Sequence, residues 1–195
     1  FVYGVGAAAM DMRVAVDAYV VPEHFLGYAA ACDLARAYGI PSWAYAGPSD
    51  AKIVDGQLAA DVAITTLLGA LSRATLLHDI GYMESGMAGA QEAIVLGAEL
   101  VGFARAFLQE LPLDDEALQL DEIVTVGPGA SHLARPYTRK HHRDFWSSDI
   151  FDHAAHDRWQ ADGGTTLQER VRQRTRDLLG AERANRLRDD VRGEF

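Results

Sequence analysis

The sequence repeats one pattern three times: a short apolar run, a polar loop and a longer stretch of helical character. The runs and the helical stretches that follow them are residues 2–3 and 22–38, 42–45 and 55–71, and 74–77 and 88–108. Each run is long enough for one strand and too short for a helix. Strands and helices that alternate with a period of roughly 35 residues are typical of βα units around a parallel sheet. The sequence therefore predicts an α/β fold.

The third repeat concentrates the polar chemistry of the chain. The residues that follow its buried strand, predicted at 74–77, are His78, Asp79, Tyr82, Glu84 and Ser85, with Gly81 and Gly86 as chain breakers. In parallel α/β proteins the loops at the carboxyl ends of the strands share one face, where ligands bind. The loop is therefore a candidate site. The competing interpretation is a connection that caps the next helix and carries incidental polar residues.

Local signals predict where several helices begin. Pro22 suits the first turn of a helix, and Asp55 is expected to cap the second. The acids at the start of 114–126 favour a fourth helix, which ends before a Gly-Pro-Gly segment. Thr166 and Glu169 have the spacing of a capping box and predict a final helix with Leu178 and Leu179 on its apolar side.

Composition excludes several classes of partner. The net charge is -10 and the calculated pI is about 5.0, which argues against nucleic acid or an anionic membrane and suits a cationic substrate. No segment reaches the ~20 apolar residues that cross a bilayer, and no signal peptide is recognisable. The single cysteine, Cys32, is expected to be a buried, inert thiol in a reducing compartment. We therefore predict a cytoplasmic location.

The first residues, Phe1 to Gly4, read like the interior of a strand and contain no initiating Met, which favours a truncated N-terminus. Three or four βα units are half of an eight-unit barrel, which typically has ~250 residues. A complete doubly wound domain would also fit the length. The suspected truncation favours the C-terminal half of a (β/α)8 TIM barrel over residues 1–195, with a helical extension over residues 131–195.

Four motifs, read together, point to one family. They are Met10-Asp11-Met12-Arg13; Ser49-Asp50-Ala51-Lys52 with Asp55 and Gln57; His78-Asp79-Ile80-Gly81-Tyr82-Met83-Glu84-Ser85-Gly86; and Val126-Gly127-Pro128-Gly129 with Thr138, His141 and Trp146. In order and spacing they resemble the trimethylamine methyltransferase family, which also includes betaine-type quaternary amine methyltransferases. The resemblance covers nearly all of the chain, up to the last helix.

The resemblance implies a TIM barrel that transfers a methyl group from a methylated amine to the cobalt of a separate corrinoid protein. No cofactor would bind this chain directly, because the corrinoid belongs to the partner. The founding trimethylamine enzymes carry pyrrolysine in the region that resembles residues 45–50. This sequence has only standard residues there, so it resembles the branch that acts on quaternary amines such as glycine betaine.

This chemistry needs placement more than acid catalysis. A quaternary ammonium leaves a neutral tertiary amine, so the main task is to hold a cation in line with the cobalt. Aromatic faces contribute roughly 0.5–2 kcal/mol each to binding a cation. Tyr45 and Tyr82 lie at strand exits, and Trp43 is on the same side of its strand as Tyr45. Glu84 or Asp50 would supply a carboxylate.

The resemblance and the chemistry together give a candidate site, in which His78 would bond the carboxylate of a betaine. The predicted catalytic residues are Glu84, His78 and Asp50, and the predicted substrate-binding residues are Tyr45, Tyr82, Ser49 and Asp11. Structural roles remain open for several of them. These are core packing for Trp43, a bond to a neighbouring loop for Glu84, an ion pair among Asp11, Arg13 and Lys52, and capping of the second helix by Asp50 and Asp55.

Two other functions remain open. His153 and His156, with Asp152 or Asp157, would make a metal site if they share a helix face, and the protein would then be a metal-dependent hydrolase. Alternatively, the chain is an inactive barrel remnant. A half-barrel also exposes its open side, so a homo-oligomer is possible.

Overall fold

The computed structural model describes residues 1–4 and 8–181. Its elements are β1 (Ala9–Asp11), β2 (Val16–Ala18), α1 (Pro22–Ala37), β3 (Trp43–Tyr45), α2 (Gly56–Leu71), β4 (Leu76–His78), β5 (Tyr82–Met83), β6 (Ala88–Gly89), α3 (Gln91–Phe107), α4 (Asp115–Leu118), α5 (Leu120–Val126), α6 (Pro136–His141), α7 (His156–Ala161) and α8 (Leu167–Gly180). The predicted extension over 131–195 contains α6 to α8, and residues 182–195 lie outside the described part. No helix in the described ranges is long and apolar enough to span a membrane.

The central strands are parallel. β3 pairs with β4 so that Trp43 faces Leu76 and Tyr45 faces His78. A parallel bridge between Tyr3 and Ser42 adds a third strand position, with the Trp43 amide donating to the Tyr3 carbonyl at 3.0 Å. The prediction of an α/β fold with parallel strands is therefore confirmed. The half-barrel remains a prediction, because the described sheet is too short to define a barrel.

Helices α1 and α2 both pack against β3. The α2 contact depends on Gly69, because a Cβ at this position would collide with the Tyr45 carbonyl oxygen. The absence of a side chain lets the helix approach the strand closely. Cys32 of α1 is fully buried beside Tyr28 and Ala44, as predicted for an inert thiol. This packing holds the carboxyl end of β3 between two helices.

The main hydrophobic core lies between α2, α3 and α8. Its fully or almost fully buried residues are Ala51, Leu58, Val62, Met83, Ala93, Leu96, Leu100, Ile150 and Val171. The final helix has the capping box predicted from Thr166 and Glu169. It faces the core through Val171 and Thr175, whereas Leu178 and Leu179 are about half exposed, so the apolar side predicted for this helix is wrong.

The third helix begins at Gln91, three residues later than the sequence predicts. Ala88 and Gly89 form β6, which pairs with Tyr82 and Met83 of β5 in an antiparallel hairpin, and α3 starts at Gln91. The helical pattern of the sequence therefore also covers the two residues of β6. Ala88 pairs with Met83 and Gly89 with Tyr82, so the backbone of both residues belongs to the hairpin and the helix starts only after them.

Other element boundaries also differ from prediction. The strand predicted at 74–77 lies at Leu76–His78 and is not buried, since Leu76 is 53% exposed and no strand among the described residues pairs with its second edge. The fourth helix is broken into α4 and α5 at Gln119, which has a φ of 49°. The segment after 131 has no clear helical periodicity but contains α6, which begins at Pro136.

Removal of the α2 cap is expected to destabilise the fold. The Asp55 carboxylate accepts from the amides of Gln57 at 2.9 Å and Leu58 at 3.2 Å, as predicted. Asp55→Ala should therefore lower the free energy of unfolding in urea by about 1 kcal/mol. Asp114→Ala is the matched control: it caps only the four-residue α4 and should cost less than about 0.5 kcal/mol. Equal losses of unfolding free energy in the two variants would show that the α2 cap stabilises the fold no more than the α4 cap.

Candidate active site

Six aromatic side chains surround the carboxyl ends of β3 and β4. We call this set the aromatic cluster: Tyr19, His24, Tyr28, Trp43, Tyr45 and His78. Three of them are placed by the sheet, because Trp43 and Tyr45 share one face of β3 and His78 is the register partner of Tyr45. The others come from the turn after β2 and the first turns of α1. The cluster therefore joins three segments distant in sequence.

Tyr45 lies at the centre of the aromatic cluster. Its ring centroid is 4.6 Å from that of Tyr28, 4.9 Å from that of His78 and 5.2 Å from that of His24. Tyr19 stacks on it at 5.5 Å with an interplanar angle of 24°. These separations are those of interacting aromatic pairs. The predicted site residues Tyr45 and His78 are thus direct neighbours.

Trp43 does not belong to the buried core. Its ring lies 4.6 Å from the His78 ring, and the residue is 46% exposed. Gly4 lies against the indole, since a Cβ there would overlap the ring. The interpretation of Trp43 as core packing is therefore wrong, and the indole remains accessible beside the cluster.

Three buried polar atoms at the cluster have no hydrogen-bond partner among the described residues: Asp17 Oδ1, His24 Nε2 and His78 Nε2. His24 is only 4% exposed, and its Nδ1 lies 3.5 Å from the Ala18 carbonyl oxygen. His78 Nδ1 lies 2.7 Å from the Asp79 carboxylate. Unpaired buried polar atoms are uncommon in proteins and are costly. They mark this cluster as a place where a polar ligand would gain contacts.

Two tyrosines of the cluster, Tyr19 and Tyr28, have raised pKa values. Burial, followed by the adjacent Tyr45 hydroxyl, raises the pKa of Tyr28 far above its ordinary value. Burial also raises the pKa of Tyr19, and the neighbouring Tyr45, Asp17 and Asp79 raise it further. The carboxylates near Tyr19 disfavour any additional negative charge. The same surroundings favour a positively charged ligand.

Asp50 joins the loop after β3 to the turn before α1. Its Oδ1 accepts the amide of Tyr19 at 3.1 Å, and its Oδ2 accepts the amide of Val20 at 2.9 Å. The Ser85 hydroxyl lies 3.4 Å from Oδ1. Asp50 therefore does not cap α2, and that interpretation is wrong. The carboxylate brings the loops after β2, β3 and β5 together.

Ser49 is fully buried and holds the same loop in place. Its hydroxyl donates to Asp61 of α2 at 2.8 Å and accepts the Ala51 amide at 2.9 Å. Its amide donates to the Tyr82 carbonyl at 3.0 Å, while Tyr82 itself is 48% exposed. Tyr82 also contributes to the raised pKa of Tyr19, which places it near the cluster. A substrate contact by Ser49 or Tyr82 stays a prediction.

Glu84 lies in a strained loop beside the site. Its amide donates to the Ala51 carbonyl at 3.2 Å, and its side chain is exposed. Asp79, Glu84 and Ser85 have φ values of 75°, 50° and 53°, in the left-handed region that residues with a Cβ rarely adopt. Strain of this kind often accumulates at functional sites. The backbone thus presents the Glu84 carboxylate to solvent near the loop of Asp50.

Asp11 lies away from the aromatic cluster, on the β1–β2 hairpin. It pairs with Arg13, whose guanidinium donates to both carboxylate oxygens, at 2.9 Å and 2.6 Å. Lys52 instead donates to the Asp50 carbonyl at 2.7 Å. The predicted ion pair of Asp11 and Arg13 is confirmed, and its extension to Lys52 is wrong. A substrate contact by Asp11 stays a prediction.

The Asp11 carboxyl is expected to titrate far below its usual range. Hydrogen bonds from the Arg13 side chain and amide lower its pKa to about 2. Because the folded-state value is depressed, the pair stabilises the hairpin above pH about 3.8, and this contribution is lost as the pH falls towards 2. An NMR titration of the Asp11 carboxyl checks the value. Arg13→Gln should return the midpoint towards 3.8, and an unchanged midpoint would contradict the pairing.

Several residues of the cluster were not predicted. Tyr19, His24 and Tyr28 lie where the sequence predicts only a loop and the start of a helix. Asp61, which holds Ser49 from outside the cluster, lies in the predicted second helix. One short signal was present: apolar and polar residues alternate over Val16, Asp17 and Ala18, which form the β2 strand. The aromatic contacts themselves have no signature in a single sequence.

A large cavity in the described part lies elsewhere. It has a volume of about 550 Å³ between the segment 111–117 and Tyr137, His141 and Phe145. His141 Nδ1 lies 2.6 Å from the Asp144 carboxylate there, and His141 Nε2 is buried without a partner among the described residues. We place the candidate site at the strand ends because three unpaired buried polar atoms, the strained loop and most of the predicted residues meet there.

The proposed metal site of the hydrolase alternative has no donor set in the structure. Over residues 1–4 and 8–181, no three His, Cys, Asp or Glu side chains are grouped closely enough to hold an ion. His156 instead stacks on Trp159, with the ring centroids 5.6 Å apart. The His153 and His156 pair therefore gives the hydrolase no structural support.

The fold and the site define an α/β protein with an aromatic, acidic site at the ends of parallel strands. The family model described as trimethylamine methyltransferase matches residues 1–195. A glycine betaine methyltransferase of Desulfitobacterium hafniense is 31% identical over 169 residues, covering 86% of this chain and 35% of that protein. A trimethylamine methyltransferase of Methanosarcina thermophila is 32% identical over 178 residues, covering 91% and 37%. The chain belongs to the trimethylamine methyltransferase family, and it spans about a third of the length of these relatives.

Proposed function

We propose that this chain is part of an enzyme that transfers a methyl group from a methylated amine, of the quaternary type, to Co(I) of a cognate corrinoid protein. The observation that carries the proposal is the aromatic cluster, in which four rings surround Tyr45 and carboxylates lie close by. Membership of a methyltransferase family supports the reaction class. The names of the relatives, for trimethylamine and glycine betaine, support a methylated amine.

Binding of the cation is assigned to the aromatic faces and the surrounding negative charge. Each face contributes roughly 0.5–2 kcal/mol, and more where water is excluded. Tyr19, whose ring stacks on Tyr45, supplies a face at the strand end, and the half-exposed Tyr82 supplies another at the rim. Asp17 and Asp79 lie near these rings and disfavour an anionic ligand. A permanently charged ammonium satisfies both requirements.

The residues of the chain then orient the substrate for an in-line transfer. The carbon–nitrogen bond breaks, its electron pair stays on nitrogen, and a quaternary substrate leaves as a neutral tertiary amine, so no acid is needed. The corrinoid of the partner protein supplies the nucleophile that accepts the methyl group. The chain fixes the direction of the departing methyl group and excludes water, and such orientation contributes several kcal/mol.

His78 and Glu84 are assigned separate roles. The Asp79 carboxylate orients His78 through Nδ1, and the buried Nε2, which has no partner among the described residues, is assigned to the carboxylate of a betaine. Glu84 presents an exposed carboxylate near the site, where it attracts and orients the cation. Asp50 is the third predicted catalytic residue, and its carboxylate bonds to the backbone amides of Tyr19 and Val20.

The remaining parts of the proposal concern the larger protein. The chain would form the C-terminal part of a TIM barrel whose other strands complete the walls of the site. The exposed edge of β4, with Leu76 and Leu77 partly exposed, supports a further barrel strand at this position. A homo-oligomer is a second way to cover the same apolar surface.

The test uses the full-length protein with its corrinoid protein reduced to Co(I). Tetramethylammonium, glycine betaine and trimethylamine are supplied in turn, and methyl transfer is followed by the absorbance change of the corrinoid. The proposal expects transfer from at least one quaternary amine. No transfer from tetramethylammonium or glycine betaine, with a corrinoid protein shown to accept methyl groups from another donor, would contradict it. Transfer from trimethylamine alone would contradict the quaternary type of substrate.

A further inference from the structure

We propose that Asp50 is a positioning residue that holds Tyr19 against Tyr45 and thereby completes the cation-binding face of the cluster. This inference rests on the proposed function and changes the part that Asp50 plays in it. Asp50 then acts through Tyr19 and does not contact the substrate.

The Asp50 carboxylate is already engaged on both oxygens. Oδ1 accepts the Tyr19 amide and Oδ2 accepts the Val20 amide, at 3.1 Å and 2.9 Å. Hydrogen bonds to an ionised carboxylate are shorter and stronger than those between neutral groups. A carboxylate used in this way is poorly suited to act as a counter-ion for a bound ammonium. Its two bonds instead determine the course of the backbone at residues 19–20.

That backbone belongs to neither a strand nor a helix. β2 ends at Ala18 and α1 begins at Pro22, so the residues between them lack the regular hydrogen bonds of either element. Asp50 supplies partners for two of their amides from a loop about 30 residues away in sequence. Proline at position 22 has no amide hydrogen and adds no further bond. The position of Tyr19 therefore depends strongly on one carboxylate.

The strained loop after β5 makes a second contact with the segment that carries Tyr19. The Ser85 hydroxyl donates to the Asp17 carbonyl at 2.5 Å and lies 3.4 Å from Asp50 Oδ1. Gly86 has a φ of 80°, and a Cβ at this position would lie only 3.0 Å from the Tyr19 hydroxyl. The turn thus brings a hydroxyl donor to one side of the 17–20 segment and leaves room for the Tyr19 ring on the other. Both contacts converge on the same segment as Asp50.

Each of the four rings has its own position around Tyr45. Tyr19 covers one face of Tyr45 at 5.5 Å, while Tyr28, His24 and His78 approach it from other directions. When the Asp50 bonds are lost, Tyr19 loses its fixed position and one cation–π contact is lost with it. The expected effect is a 3- to 30-fold weaker binding of a quaternary ammonium, about the range of one such contact.

The test measures tetramethylammonium binding to the full-length protein by calorimetry. Asp50→Asn keeps the size of the side chain but removes its charge and one acceptor, and should raise the Kd 3- to 30-fold. Tyr19→Ala should do the same, and the double variant should bind no more weakly than Tyr19→Ala alone, because Asp50 acts through Tyr19. Asp55→Asn is the matched control, since Asn caps a helix about as well as Asp, and should leave the Kd unchanged.

Two structural readouts separate this inference from the proposed function. Hydrogen exchange of the Tyr19 and Val20 amides should be slow in the unsubstituted protein and faster in Asp50→Asn, and the NOE between the Tyr19 and Tyr45 rings should weaken. Additive losses of affinity in the double variant, or unchanged exchange, would overturn the inference. If the unsubstituted protein binds neither tetramethylammonium nor glycine betaine, the proposed function fails. The exchange and the NOE still decide whether Asp50 positions Tyr19.

Discussion

Tyr45→Leu is expected to raise the Kd for a quaternary ammonium at least tenfold in the full-length protein. The ring is the one member of the aromatic cluster that contacts four others, and its loss removes a cation–π face and loosens Tyr19 and Tyr28. The free energy of unfolding should also fall, by about 1–3 kcal/mol, because aromatic packing is lost. Calorimetric binding and urea unfolding measure the two effects.

Two further substitutions show which part of Tyr45 matters. Tyr45→Phe keeps the aromatic face and should stay within about threefold of the unsubstituted affinity, since only the hydroxyl is removed. Tyr38→Leu changes an exposed tyrosine at the end of α1 and should alter neither binding nor stability. Unchanged cation affinity in a folded Tyr45→Leu protein would place the binding site outside the cluster.

Glu84→Gln is expected to reduce methyl transfer at least tenfold without unfolding the protein. The substitution removes a negative charge from the loop that we assign to the site, and it preserves the shape of the side chain. Because Glu84 is exposed, and its left-handed backbone carries the same strain with Gln, stability should change by less than about 0.5 kcal/mol. The measurement is corrinoid methylation at saturating and at limiting substrate, together with urea unfolding.

Glu110→Gln provides the control for this prediction. Glu110 follows α3, is exposed and lies outside the loops that form the site. Its replacement makes the same change in net charge and should leave methyl transfer unaltered. Full turnover in Glu84→Gln would remove Glu84 from the site and leave the strain in its loop without a functional reason.

The order and type of the main elements followed from the sequence. The first two helices and the final helix begin where Pro22, Asp55 and Thr166 predicted, because capping depends on a few neighbouring residues. The predicted start of the third helix was wrong because it depends on the pairing of β5 with β6. Ala88 has good helical propensity, but its backbone bonds to β5, and contacts between distant segments override local preference.

For the candidate site, the sequence identified the strand ends and part of the chemistry. Tyr45 and His78 were predicted because each lies where an apolar run stops, and parallel strands place such positions side by side. Tyr19, His24 and Tyr28 were missed because they approach from α1 and the turn before it. Asp50 was found, but its partners were not, since nothing local shows that its carboxylate reaches amides about 30 residues away.

The sequence by itself determined the α/β class, the main helix starts, the family and the polar loops at the strand ends, because each of these depends on periodicity, capping or motifs within a short span. Only the tertiary structure decided which aromatic rings surround Tyr45, that Trp43 is accessible and that Asp50 ties Tyr19 in place. These features depend on contacts between residues far apart in the chain. The packing of α1 and α2 against β3 creates those contacts, and a pattern of residues along one chain does not specify them.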